Sequence, residues 1–386
     1  MSIFNTDSSI ARPSDGAVNY RVTEVSADGS ATSGQLKFRW QSSANQFWLP
    51  RSSYAIIRLQ ILKSANTIGT TDNVHITKSP GDAVFSLVQH QMNGTLVGSS
   101  NEPAIDGIIL KRAYMKNEVR NTYGDLQYLN QDDTPIDTSY IDILWQPPLG
   151  LWHTDSVGGG SHVLSLTTHS SLKERVFRNS ASRLNANLTV AITSVKLMVA
   201  HASPEVPVPV KRTTVINTLD LSTQSFSCST NGASSAQISV TPSTTRIFVS
   251  SQRSNPVDVN SRGACVLNGV ELSNLSVSFA GQESPVLSYS DEFDDRRRKY
   301  YDFYREKFSS GISAFDTLVE HAAEPISCHH FAKSTADVST SATVRLSAQG
   351  ATTPSNVFVS SLSHNAIVTT YNSSGYVEGV NFIVVN

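Results

Sequence analysis

The chain is poor in charge and in sulfur. Asp, Glu, Lys and Arg make up 16% of its 386 residues and cancel to a formal net charge of -2, against about 25% charged residues in an average soluble domain. So balanced a chain sets up no overall field to gather phosphate backbones or anionic lipid. Three cysteines, Cys228, Cys265 and Cys328, are odd in number and far apart, which is not the pattern of a disulfide-stapled secreted domain. They read as reduced thiols of an intracellular product, and the glycosylation-type matches at Asn93, Asn187, Asn274 and Asn372 are then coincidental. No run of about eighteen apolar residues occurs, so no segment is expected to span a membrane. The opening stretch MSIFNTDSSIARPSDG holds one basic residue, Arg12, and resembles neither a secretory leader nor a basic arm.

Motifs with strong mechanical meaning are missing too. There is no Gly-x-Ser-x-Gly elbow, no Gly-x-x-x-x-Gly-Lys phosphate loop, no His-Glu-x-x-His and no Cys-x-x-Cys, which removes several hydrolase, nucleotide and metal chemistries. A pair of facing carboxylates, sufficient for a glycosidase, leaves no such trace. HAAEPISCHH gathers His321, Glu324, Cys328, His329 and His330, all possible zinc ligands. Neighbouring residues on a strand point to opposite faces, however, and Pro325 interrupts a helix, so these side chains are not expected to converge. DDRRRK, from Asp294 to Lys299, reads as a solvated or interface-paired helix face rather than a phosphate site. The expectation is no enzyme, no cofactor and no metal.

What the chain does have is alternation with period two. Leu36, Phe38 and Trp40 alternate with Lys37 and Arg39, and Ile57, Leu59 and Ile61 with Arg58 and Gln60. Leu188, Val190 and Ile192, then Leu275, Val277 and Phe279, then Val344 and Leu346 repeat the pattern. These are strands with one buried face. Two stretches break the period. From Asn101, a plausible cap, the order Pro103, Ile105, Ile108, Ile109, Met115 has helical spacing. DDRRRKYYDFYREKF sets Tyr300, Tyr304 and Phe308 on one helical stripe, which packs either on its own sandwich or on a neighbouring subunit. Asn93-Gly94 and Asn268-Gly269 are hairpin signals, one in each half. HASPEVPVPVKR, with Pro204, Pro207 and Pro209, cannot pair centrally in a sheet and marks the boundary. The order of elements is duplicated about it. The fold expected is all-β with short helices: an arm over 1–16, a first eight-stranded sandwich over 17–206 and a second over 207–386.

Six segments carry a resemblance, in this order: FRWQSSANQFWLPRSSYAIIRLQI from Phe38, FSLVQHQMNGTLVGSS from Phe85, ILWQPPLGLW from Ile143, TTRIFVSSQ from Thr244, LNGVELSNLSVSFAGQESP from Leu267, and the aromatic helix from Arg296. Together they resemble the double jelly-roll major capsid proteins of polinton-like viruses, virophages, adintoviruses and tailless membrane-containing bacteriophages, with adenovirus hexon as a larger relative. The resemblance spans nearly the whole chain. It implies two tandem jelly rolls, homotrimers of pseudo-hexagonal outline that tile an icosahedral shell, neighbouring trimers, penton and minor capsid proteins as partners, and a place in the virion. With no basic arm, genome contact is expected to fall to other virion components or an internal membrane, without direct sequence-specific nucleic-acid binding.

Under that resemblance, Trp145, Pro147, Pro148 and Trp152 rigidify a turn at a strand end, and Gly158, Gly159 and Gly160 let the chain fold back closely. Trp145 and Trp152 would otherwise line a carbohydrate site. The competing class of function is a β-sandwich adhesin or carbohydrate-binding protein, monomeric or dimeric and without lateral contacts.

Overall fold

The computed structural model of the chain describes residues 18–29, 34–64, 67–68, 75–77, 79–114, 139–178, 188–204, 213–228, 232–253, 267, 271–289, 293–310, 318, 321, 324–332, 339–349, 355–373 and 376–384. The first half contributes β1 (Val18–Val25), β2 (Ala27–Asp28), β3 (Gln35–Ser42), β4 (Phe47–Trp48), β5 (Tyr54–Lys63), β6 (His75–Ile76), β7 (Phe85–Met92), β8 (Thr95–Ser100), β9 (Tyr140–Trp145), β10 (Gly160–Thr168), β11 (Phe177–Arg178) and β12 (Leu188–Pro204). The second contributes β13 (Thr213–Cys228), β14 (Gly232–Ser239), β15 (Thr244–Arg253), β16 (Glu271–Phe279), β17 (Gln282–Tyr289), β18 (Ile326–His330), β19 (Ser341–Gln349), β20 (Ser355–Tyr371) and β21 (Val377–Val384). Helices α1 (Pro80–Val84), α2 (Pro103–Tyr114), α3 (Leu172–Val176) and α4 (Phe293–Ser310) lie between strands.

The predicted strands form because their apolar period matches the pleat. In β3, Leu36, Phe38 and Trp40 are buried and Lys37 and Arg39 exposed; in β5, Ala55, Ile57, Leu59 and Ile61 have no exposed surface. Asn93 and Gly94, both at positive φ, turn β7 into β8 as the Asn-Gly signal predicts. The second such signal, Asn268-Gly269, lies outside the described residues, as do Cys265, the arm over 1–16 and the segment 205–212 of the Pro-rich boundary. Cys228 and Cys328 are buried free thiols.

Sheet order makes the duplication explicit. The first half pairs β1-β12-β5-β9 in one sheet and β3-β10-β7-β8 in the other; the second pairs β13-β20-β15-β18 and β14-β19-β16-β17. Strand for strand the orders coincide, every pairing being antiparallel, and α2 and α4 occupy the same connection. The molecule is two eight-stranded jelly rolls in tandem, with β2 added beside β3, β4 beside β12, β21 beside β20, and a separate β6–β11 pair. Helix α2 begins one residue later than Asn101 suggests: the carbonyl of Glu102 accepts from the amides of Ile105 and Asp106.

Candidate functional site

A structural role would place function where the two jelly rolls meet and in what they leave open. The junction is built around α2, all twelve of whose residues are buried. The helical period marks only its isoleucine face; the rest is buried by α1 and β8 of the first jelly roll and by β13 and α4 of the second. Its charged side chains must therefore find partners inside the molecule. Lys111 pairs with Asp82 of α1, whose other oxygen accepts from Trp145 Nε1 at 2.8 Å. Asp106 accepts from Ser100 of β8 and from Thr223 of β13, each at 2.5 Å. Arg112 donates to the carbonyl of Glu324 at 3.0 Å and lies over the ring of Phe303. Tyr114 accepts from Arg246 of β15 at 2.7 Å. Burial is the main force on Asp106, opposed by its two hydroxyl donors and assisted by the nearby carboxylates of Glu102 and Asp82, and it pushes the group up to about 7.

The Trp145–Gly160 loop is the second part of the junction. Trp145 and Trp152 have no exposed surface, and Pro147 and Pro148 are buried, so in the single chain these four act from inside and form no wall of an open carbohydrate groove. Gln146 Nε2 donates to the carbonyls of Pro50, Ser53 and Trp152 at 3.1–3.3 Å, tying the loop to the turn before β5. The turn at Gly150 lies against β13 so closely that a Cβ there would strike the carbonyl of Leu219, and one on Gly158 would strike the Tyr371 hydroxyl. Glycine is thus required at Gly150, where the second jelly roll's backbone comes closest. The β7–β8 hairpin adds Asn93 Nδ2 to the carbonyl of Val377 at 2.8 Å and Thr95 Oγ1 to that of Val380 at 3.2 Å, both on β21. One hydrophobic cluster runs across the junction, from Trp145, Leu149 and Ile109 to Leu219, Phe248 and Leu362.

Beneath the loop sits a cluster whose partners to Trp152 carry no motif. Trp152 Nε1 donates to His90 Nδ1 at 3.0 Å, and His90 Nε2 lies 3.2 Å from His162 Nδ1. An indole nitrogen only donates, so His90 carries its proton on Nε2 and passes a hydrogen bond to His162. Trp40 stacks on His162 at 5.1 Å, and Trp48 and Trp152 close the box edge-on. Burial drives His90 down to about 3 and His162 well below its ordinary value, the latter with help from His90 and His201. His90 shares the buried face of β7 with Val88 and Met92, a polar residue at an apolar register position; that parity was the available signal.

The stripe on α4 turns inward. Tyr304 is fully buried and Tyr300 half-buried, their rings 5.0 Å apart, against Phe303 and His321 of the same chain. Phe308 lies on α4 with its side chain outside the described residues. On β18, His329 turns to Ser327 and the carbonyl of Ser284 while His330 turns to Cys328 and the carbonyl of Asp302, opposite faces as the strand period dictates. Among the described residues no three His, Cys, Asp or Glu are placed to hold a metal ion.

No family profile and no curated protein matches the chain. Solved structures do. The chain is similar to a structure of the Sputnik virophage (TM-score 0.62, 12% identity, 96% of this chain and 89% of that chain). It is similar to the mavirus major capsid protein (0.58, 11%, 98% and 93%) and to the Faustovirus major capsid protein (0.53, 8%, 96% and 91%). At these identities the likeness is one of fold: the chain has the double jelly-roll fold over nearly its whole length.

Proposed function

We propose that the protein is a viral major capsid protein, located in the virion, with the first jelly roll over 17–206, the second over 207–386 and an arm over 1–16. Its work is geometric: a closed trimer of six jelly rolls, then a tiled icosahedral shell with neighbouring trimers, penton and minor capsid proteins as its contacts. The observation that carries this is the buried junction. Two jelly rolls of matching strand order are fused through a fully buried helix, its hydrogen bonds to Thr223, Glu324 and Arg246 of the second, and a shared hydrophobic cluster, which makes the chain one stiff block of double length. A rigid tile needs such a block. Neither catalysis nor glycan binding calls for one, and the tryptophans best suited to stack on a sugar are inside. The likeness to major capsid proteins over 96–98% of the chain supports the same reading.

Electron microscopy of the concentrated, purified protein tests it. Particles of three-fold symmetry with a nearly hexagonal outline are expected, alone or as patches and shells; a field of single two-lobed particles at every concentration would overturn the reading.

A further inference from the structure

Ion pairs such as Arg39–Asp28, Arg51–Asp155, Arg58–Asp142 and Lys196–Glu24 lie at the surface, their side chains 45–65% exposed, where water screens them. The pair between Lys111 of α2 and Asp82 of α1 is of another kind, with side chains 2% and 0% exposed. Two charges in a dry interior are costly to keep, and here an amine and a carboxyl are pressed together with no solvent between them.

The Asp82 carboxyl is held from three sides. Oδ2 meets Lys111 Nζ, and Oδ1 accepts from Trp145 Nε1 at 2.8 Å. The third side is the α-carbon of Gly107, where a Cβ would collide with Cγ and both oxygens. Gly107 and Lys111 are one helical turn apart on the same face of α2, so the glycine admits the carboxyl and the lysine reaches it from the next turn. Behind them the Trp145 ring fits only because residue 81 is also glycine, and Phe85 packs on that ring at 4.7 Å.

We propose that this pair matures into a covalent bond, the Lys111 amine and the Asp82 carboxyl condensing to an isopeptide amide within the folded chain. One proton passes from the Nζ ammonium to Oδ2, which leaves a neutral amine against a neutral acid. The Nζ lone pair then attacks Cγ. The charge that gathers on Oδ1 falls on the oxygen already held by Trp145 Nε1, where a fixed donor lowers the barrier. A second proton moves from nitrogen to Oδ2, the Cγ–Oδ2 bond breaks, and Oδ2 leaves as water. Nζ keeps its third proton as the amide hydrogen, and no oxidant, cofactor or further reactant enters. Partners held in contact for the life of the fold react as if at a concentration on the order of 10⁵ M or more, and the closed interior keeps out the water that would reverse the step. The bond ties α1 to α2 around the β7–β8 hairpin, whose Asn93 and Thr95 grip β21. It lies within one chain, so it stands or falls independently of the trimer.

Met92 separates the two residues in sequence, and the next methionine is Met115. Folded wild-type protein, kept at neutral pH, is denatured and cleaved at methionine with cyanogen bromide, and the products are weighed by mass spectrometry. With the bond, the 93–115 piece stays attached to the piece that ends at Met92. The joined product is lighter by one water than the two pieces together, and its fragment spectrum places the branch on Asp82 and Lys111. Lys111→Gln should release the 93–115 piece in full. Trp145→Phe keeps a ring against Gly81 and loses the donor to Oδ1, so its joined fraction should fall several-fold; an unchanged fraction would overturn the part given to Trp145. The wild-type digest decides the bond whether or not either variant folds. A free 93–115 piece in full yield, or a joined product branched at other residues, would overturn the proposal and leave an ion pair only.

Discussion

Trp152, His90 and His162 form a hydrogen-bonded relay that works only with neutral imidazoles, since a second proton on either ring would set two donors against each other. The other groups acting on His153 and His162 are cationic or histidine: Arg51 and Lys111 on His153, His90 and His201 on His162. His153, mainly through burial, is also down to about 3. Unfolded histidine binds protons near pH 6.5. The folded groups do not until far lower, so acid below about pH 6.5 favours the unfolded chain. The slope is up to about 1.4 kcal/mol per pH unit for each such histidine. Asp106 opposes this. Held at about 7 when folded and near 4 when unfolded, it costs stability that returns as pH falls from about 7 toward 4. Burial also lowers His201, His329 and His330 and raises Glu102 and Asp220, so six histidines stand against three carboxyls and the histidines prevail. The melting temperature should therefore fall steadily from pH 6.5 to 4.5 in a calorimetric series; a flat or rising profile would show that the histidines are not buried neutral.

At the scale of elements, α2 shows why part of the fold was legible and part was not. Strands β3 and β5 write their burial into a strict alternation because one sheet face meets a core and the other meets solvent. Helix α2 writes only its isoleucine face. Lys111 and Arg112 look like an ordinary solvated end until Asp82, 29 residues away, and the second jelly roll cover them. The single-turn helices α1 and α3 are too short to carry a period. Trp145, Trp152 and Tyr304 could be singled out by composition, whereas Trp48, His90, His162 and Asp106 acquire their roles from partners distant in sequence. The packing of α2 on α1 makes a specific demand at Gly107, where a Cβ would collide with the Asp82 carboxylate. Helix propensity alone makes Gly→Ala stabilising by about 1 kcal/mol. Displacing Asp82 from Lys111 in a dry interior reverses the sign, and Gly107→Ala should destabilise by about 1–3 kcal/mol. Denaturant titration reads this directly, and a raised midpoint would mean that α2 does not press on Asp82.

For the whole molecule, the weak charge fits the proposed capsid tile, since contacts between tiles form more readily where few ions must be desolvated. In the proposed trimer, the double length of the block, stiffened at its middle, would give a three-fold particle the outline of a six-fold one. Assembly then depends on whether the chain closes on copies of itself. Light scattering behind a sizing column, on untagged wild-type protein over a range of concentrations, measures that most directly. The expected mass is about 125 kDa, three subunits of 41.8 kDa, with larger assemblies ahead of it; a single species of 41.8 kDa at every concentration would contradict a capsid tile.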